Sequence, residues 1–184
     1  YVYSTGYNGY GQNGDGTTTT RHSLTLIPTL NNLGVEKVYT EGTQYATAGA
    51  ITSNGDVWIW GYNAYGQCGS GNLTNQFIPT KAQNHSLPNL PAKKLVISTQ
   101  GSYGHVYILL ENGALYFTGK NQHGVDGNGS AVNKSNWTLC GGDGASGVTD
   151  VVTSGTADTA STCILKSDGT IRTVGYNGYG QLGI

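Results

Sequence analysis

The chain has 184 residues, among them 30 glycines and only 4 prolines, and a formal net charge of −1 at pH 7. Charged residues make up 10%, far below the roughly 25% usual in soluble domains, and the nearest thing to a basic run is Lys93-Lys94. Such a chain lacks the clustered cations that phosphate backbones require, so nucleic-acid binding is excluded, and no apolar stretch reaches the about 18 residues that would suggest membrane insertion.

The elements repeat. Val2 to Thr5 reads as a strand that stops at a corner, Gly6-Tyr7-Asn8-Gly9-Tyr10-Gly11-Gln12. That corner returns at Gly61-Tyr62-Asn63-Ala64-Tyr65-Gly66-Gln67, more faintly at Gly119-Lys120-Asn121-Gln122-His123-Gly124-Val125, and last at Gly175-Tyr176-Asn177-Gly178-Tyr179-Gly180-Gln181. The starts lie 55, 58 and 56 residues apart, a period that marks a repeat architecture. After the first corner comes a connector, 17–34, with Ile27-Pro28-Thr29 as a candidate outer edge strand, where proline is tolerated. Val35 and Val38 begin the next strand, and Ala46 to Thr52 form the first arm of a hairpin. Asn54-Gly55 is its turn, read as type I′, and Val57 to Trp60 is the return arm. The second period repeats this with connector 71–91 (Ile78-Pro79-Thr80), arm His105 to Leu110, turn Asn112-Gly113 and return arm Leu115 to Thr118. The third has connector 127–147 (Trp137-Thr138-Leu139), arm Thr162 to Lys166, turn Asp168-Gly169 and return arm Ile171 to Val174. With no sustained 3.6-residue apolar period, the chain is predicted to be all-β with no helix longer than two turns. The units run 1–16 (end of a blade and its corner), 17–71, 72–129 and 130–184.

These motifs resemble the regulator of chromosome condensation repeats. Val35 and Val38, Gly42, Ala50-Ile51, Gly55, Val57-Trp58, Trp60-Gly61, Asn63 and Gly66-Gln67 stand at the matching places, and Gly14 to Thr19 is similar to the repeat start in bacterial and phage members. The family histidine survives as His105, with Thr47 and Ser161 at the equivalent positions. The resemblance implies β-propeller blades of four antiparallel strands, about three full blades plus a partial one. A closed ring needs more blades than that, which predicts a segment of a longer propeller, completed by blades from the same or another chain.

The recurring residues are expected to be structural: Gly6, Asn8, Gly11, Gly55, Gly61, Asn63, Gly66, Gly113, Gly119, Asn121, Gly124, Gly169, Gly175, Asn177 and Gly180 serve tight corners, glycine and asparagine at positive φ, and the tyrosines pack on the neighbouring blade. Binding is expected in the variable connectors, at Arg21, His22, His85 and Trp137, the last read either as an exposed anchor or as a packing residue of the outer strand. Asn13 to Thr17 and Asp126 to Ser130 resemble half of a calcium loop but lack its twelfth-position glutamate, so no metal and no cofactor is assigned. Four scattered histidines and no G-x-S-x-G elbow predict no enzyme. Cys68, Cys140 and Cys163 read as small apolar residues. Five N-x-S/T sequons, at Asn72, Asn84, Asn128, Asn133 and Asn136, all fall in connectors.

The expected function is non-catalytic recognition of a cell-surface glycan or protein in an extracellular or virion setting, as in a tail-fibre or adhesin. The alternatives are an assembly module and, by resemblance, a regulator such as a small-GTPase exchange factor or an enzyme inhibitor.

Overall fold

The computed structural model describes residues 1–154 and 159–184. Thirteen strands form four antiparallel sheets among these residues. The first sheet pairs β1 (Tyr3–Gly6) with β2 (Arg21–Leu26). The second runs β3 (Val35–Glu41), β4 (Thr47–Thr52), β5 (Val57–Gly61), β6 (Gln76–Lys81). The third runs β7 (Ala92–Gln100), β8 (Tyr103–Leu110), β9 (Leu115–Gly119), β10 (Lys134–Leu139). The fourth holds β11 (Val148–Ser154), β12 (Ser161–Lys166) and β13 (Ile171–Gly175). The all-β, four-stranded blade is as expected, but two blades are complete where about three were anticipated. Among the described residues the fourth sheet holds three strands, and β1–β2 match the outer half of a blade.

The inner strands stand side by side, β3 against β7 and β7 against β11. Each carries a bulge at the same place: the pairing slips between Val35 and Lys37, Ala92 and Lys94, and Val148 and Asp150. A bulge frees a carbonyl from the ladder. Lys37 Nζ donates to the carbonyl of bulged Lys93 at 3.2 Å, and Lys93 Nζ to that of bulged Thr149 at 2.9 Å. The repeat period therefore also sets the spacing of a lysine staple from blade to blade.

The cores lie between sheets. Ile59, Leu95, Ile97, Val106, Ile108 and Trp137 cluster between the two complete blades, and Tyr107, Leu109, Phe117, Val125, Val151 and Ile164 between the third and fourth sheets. Cys68 and Cys140 are buried here, as expected; Cys163 is half-buried.

Several local expectations are corrected. The hairpin turns are not type I′, which needs positive φ at both central residues. Only the glycine is left-handed: φ is +82° at Gly55, +80° at Gly113 and +82° at Gly169. Gly55 N–H donates to Thr52 O at 2.8 Å and Thr52 N–H to Asp56 O at 3.0 Å, so the loop is a three-residue turn closed by a glycine bulge. Ile27-Pro28-Thr29 is not the outer strand. That strand is β2, and Pro28 opens a 3-10 turn, Pro28–Leu30, where its missing N–H costs nothing. Pro79, by contrast, does lie inside edge strand β6, and Trp137 inside β10.

Candidate recognition face

The register puts all four corners at one end of the blades. Glu41 pairs with Thr47, Thr47 with Gly61, and Gly61 with Gln76, so β3 ends where β5 meets its corner. The hairpin turns lie at the other end.

Each corner is built on its first glycine and its asparagine. Gly6, Gly61, Gly119 and Gly175 have φ of +109°, +102°, +104° and +113°, which glycine alone accommodates without strain. Gly11, Gly66, Gly124 and Gly180 close the same loops at positive φ. The asparagines do not share that role, because none of Asn8, Asn63, Asn121 and Asn177 has positive φ. Their amides bridge the loop instead. Asn63 Oδ1 accepts from Cys68 N–H at 2.8 Å, while its Nδ2 donates to Asn72 O and Thr74 O at 3.0 and 2.9 Å. Asn121 repeats this with Asp126 N–H, Ser130 O and Val132 O, Asn8 accepts from Asn13 N–H and donates to Thr17 O, and Asn177 accepts from Leu182 N–H. Asn8, Asn63 and Asn121 are fully buried, and a buried amide requires such partners. The corner asparagines thus bridge the loops through their amides and not through a left-handed backbone.

What the corners present outward is a row of aromatic rings. Tyr10, Tyr45 and Tyr62 meet at centroid distances of 5.0 to 5.1 Å, and Tyr7 lies 6.4 Å from Tyr10. Tyr65 and Tyr103 meet at 5.1 Å, with Lys120 Nζ 4.1 Å from the Tyr103 centroid and 4.9 Å from that of Tyr65. His123 meets Tyr176 at 5.0 Å and Tyr176 meets Tyr179 at 5.9 Å. The rings are held edge-on or tilted by one another, which leaves Tyr7 49% and Tyr179 84% exposed. Two of them, Tyr45 and Tyr103, come from the inner hairpins and were not singled out from the sequence. Their signal was present: each stands two residues before the position of His105, at Thr47 and at His105 itself.

The connector residues fare differently. Arg21, on β2, is half-buried and tied to Asp15 at 2.6 Å and to Thr17. Burial alone would raise the Asp15 carboxyl, but hydrogen bonds from Thr17, then Arg21 and Asn8, outweigh it and hold the group below the usual range, so the calcium-like loop is occupied from within. His22 is exposed on the outer edge of β2, and His85 closes the 3-10 turn Ala82–Asn84. Of the two readings of Trp137 the packing one holds and the anchor falls: it is 3% exposed, packs into the core and lies against Gly69, so no partner can reach its indole. The strand alternates, and its apolar face turns inward at Trp137. Arg21 and His22 are neighbours on β2, whereas His85 follows β6 and Trp137 lies in β10, in the outer parts of the next two blades.

His105 is buried between Phe117 and Tyr107, and its Nε2 lies 3.0 Å from Thr153 Oγ1. Burial pushes its imidazole down to about 4. An unfolded histidine titrates near ~6.5, so the unfolded chain takes the proton first. The stability this residue supplies is complete above pH ~6.5 and falls by about 3 kcal/mol as pH drops to ~4. Urea unfolding at several pH values checks this: the slope between pH ~6.5 and ~4 is expected to flatten in His105→Gln, and an unchanged slope refutes it.

Known proteins share this arrangement. Residues 54–106 match the model of the regulator of chromosome condensation (RCC1) repeat. The ultraviolet-B receptor UVR8 of Arabidopsis thaliana is 27% identical over 185 residues, covering 99% of this chain and 38% of the receptor. The X-linked retinitis pigmentosa GTPase regulator of Canis lupus familiaris is 36% identical over 78 residues, 42% of this chain and 8% of that protein. The chain thus spans well under half the length of these relatives. Among solved structures, human WBSCR16 superposes with a TM-score of 0.75 at 20% identity, over 95% of this chain and 42% of its own. Yeast RCC1 (Prp20), solved with Kap60, gives 0.66 at 18% identity, over 96% and 40%. Residues 54–106 thus carry an RCC1 repeat, and the chain as a whole is similar to RCC1-repeat proteins in sequence and in blade topology.

Proposed function

We propose that this chain is part of a non-catalytic propeller that recognises a protein partner with its corner end. The observation that carries the reading is the row of tyrosines there, pre-ordered by their own ring contacts over a buried Tyr62, with Tyr7 and Tyr179 exposed at its two ends. Tyrosine brings large area at low entropic cost, and it is enriched where protein interfaces concentrate their energy. Relatives named as a receptor and as a GTPase regulator support protein recognition as the class. Rigid stacked rings beside corner amides also suit a glycan, which is the second reading. Low charge and a hydroxyl-rich surface favour an extracellular or virion setting.

Further repeat strands complete the ring. The free edge of β1 faces β3 and β4 across an open cleft of about 370 Å³ lined by Val2, Ile27, Val38, Ala48 and Trp60. Unpaired edges of that kind call for pairing, and two inner strands of the same repeat would supply it.

The test is site-specific photo-crosslinking in the native protein, with a benzophenone side chain at Tyr7 or Tyr179 on the corner end and at Ile171 on the turn end. A discrete protein adduct from the first two positions and none from Ile171 is the expected result. Adducts from Ile171 alone overturn the reading, and a protein-free glycan adduct at Tyr7 or Tyr179 replaces it by the second.

A further inference from the structure

Two slots in each corner face the recognition end. The first holds Tyr7, Tyr62, Lys120 and Tyr176 in turn; the second holds Tyr10, Tyr65, His123 and Tyr179. Three corners place tyrosine in both slots. The third alone replaces both, and with residues that can carry positive charge.

Lys120 also stands apart from every other cation in the described residues. Arg21, Lys81, Lys94, Lys134 and Arg172 each pair with an aspartate. Lys37, Lys93 and Lys166 donate to backbone carbonyls. For Lys120 the structure shows contacts to the faces of Tyr65 and Tyr103, and no oxygen acceptor or ion pair among the described residues. A ring face attracts an ammonium but cannot accept its three N–H donors as an anion does. The rings thus hold the lysine in place and leave its charge uncompensated.

The surroundings repeat the pattern. A shallow recess between the third and fourth sheets is lined by Gln100, Tyr103, Gly104, Lys120, Gln122 and His123. Its enclosed part is about 10 Å³, room for one water-sized group. His123 Nε2 is buried there with no hydrogen-bond partner. Gln67 Nε2, on a fully buried side chain, is likewise unpartnered and lies against Gly104 in the wall of the recess. The acids at this end do not answer the charge: Asp15 is paired with Arg21, Asp126 is buried 4.0 Å from Lys134, and Glu41, on the neighbouring blade, makes no ion pair among the described residues.

We infer that Lys120 is the specificity point of the recognition face, and that it takes an aspartate or glutamate side chain of a partner protein whose flanking residues lie on the tyrosine row. One carboxylate oxygen enters the recess beside His123, and the other accepts from the ammonium. The inference rests on the proposed use of the corner end, and adds to it an acidic residue in the partner.

The experiment uses two probes on the ¹⁵N-labelled full chain, the peptide acetyl-Gly-Tyr-Glu-Tyr-Gly-amide and its counterpart with Gln for Glu, with inorganic phosphate as a third. The expected result is amide shifts centred on Lys120 and His123 with the Glu peptide. Its affinity should fall about tenfold in Lys120→Gln, and equally in Lys120→Tyr, which installs the residue of the other corners. Unaltered melting of both variants separates lost binding from lost fold. Equal shifts with Glu and Gln peptides along the tyrosine row would overturn the acidic residue while leaving the face standing. Phosphate matching the Glu peptide overturns the carboxylate assignment, and shifts confined to the turn end or the connectors overturn face and inference together.

Discussion

Gly61→Ala is expected to lower the stability of this protein by about 4 kcal/mol, whereas Gly6→Ala, in the same corner position, should cost only about 1–2. The two glycines hold almost the same backbone angle, +102° and +109°. They differ in what a methyl group would meet. At Gly6 nothing lies within 4 Å, so alanine brings only the strain of a left-handed backbone. At Gly61 the added carbon would lie 2.6 Å from Ala46 O and 3.3 Å from Thr47 Cα, both backbone, with Gln12 Cα at 3.4 Å on the adjoining blade. Backbone of the paired strand cannot move aside without breaking the ladder, so a steric term adds to the strain. Chemical unfolding of both variants is the measurement. Equal losses would show that the corner glycines serve backbone angle alone.

Trp137→Ala should remove about 3–5 kcal/mol, the usual cost of emptying a large aromatic site in a packed core. The side chain closes the core cluster shared by the two complete blades, touching a group that includes Cys68, Ala82 and Leu87. Its indole lies 2.4 Å from where a side-chain carbon on Gly69 would be, so the corner loop at Gly69 is shaped to receive it. Trp137→Phe keeps most of the volume and should recover more than half of the loss. Thermal melting reads the effect, and any partner bound at the corner end should bind a folded Trp137→Phe protein as it binds the wild type. Weakened binding by a folded variant would return this tryptophan to the surface role that its connector position suggests.

That contrast shows how far the residues speak for themselves. The sequence by itself determined the period, the corners, the hairpins and so the blade, because glycine at a left-handed angle and a two-residue alternation are local requirements. A one-dimensional pattern states them fully at Gly55, Gly61 and their copies. It also carried the resemblance to the RCC1 repeat, which the match over residues 54–106 bears out. What it could not carry is anything that depends on which side chains the folded strands and loops bring together. Whether Trp137 faces out or in turns on one residue of strand phase, and that phase is set by pairing with β9, where Thr138 lies opposite Phe117. Arg21 reads as a free connector cation until Asp15 is found at 2.6 Å. The asparagines read as turn formers until their amides are seen spanning the loop. The tyrosine row is the largest such gain, since Tyr10, Tyr45 and Tyr62 are scattered over fifty residues and become one surface only when β3 and β4 bring the second blade against the first corner. Lys120 is marked in the sequence as a departure from its repeat, but only packing shows that its charge meets tyrosine rings and no oxygen. Local geometry is written in local residues; which surface is left open, and with what charge, is a property of the assembled blades.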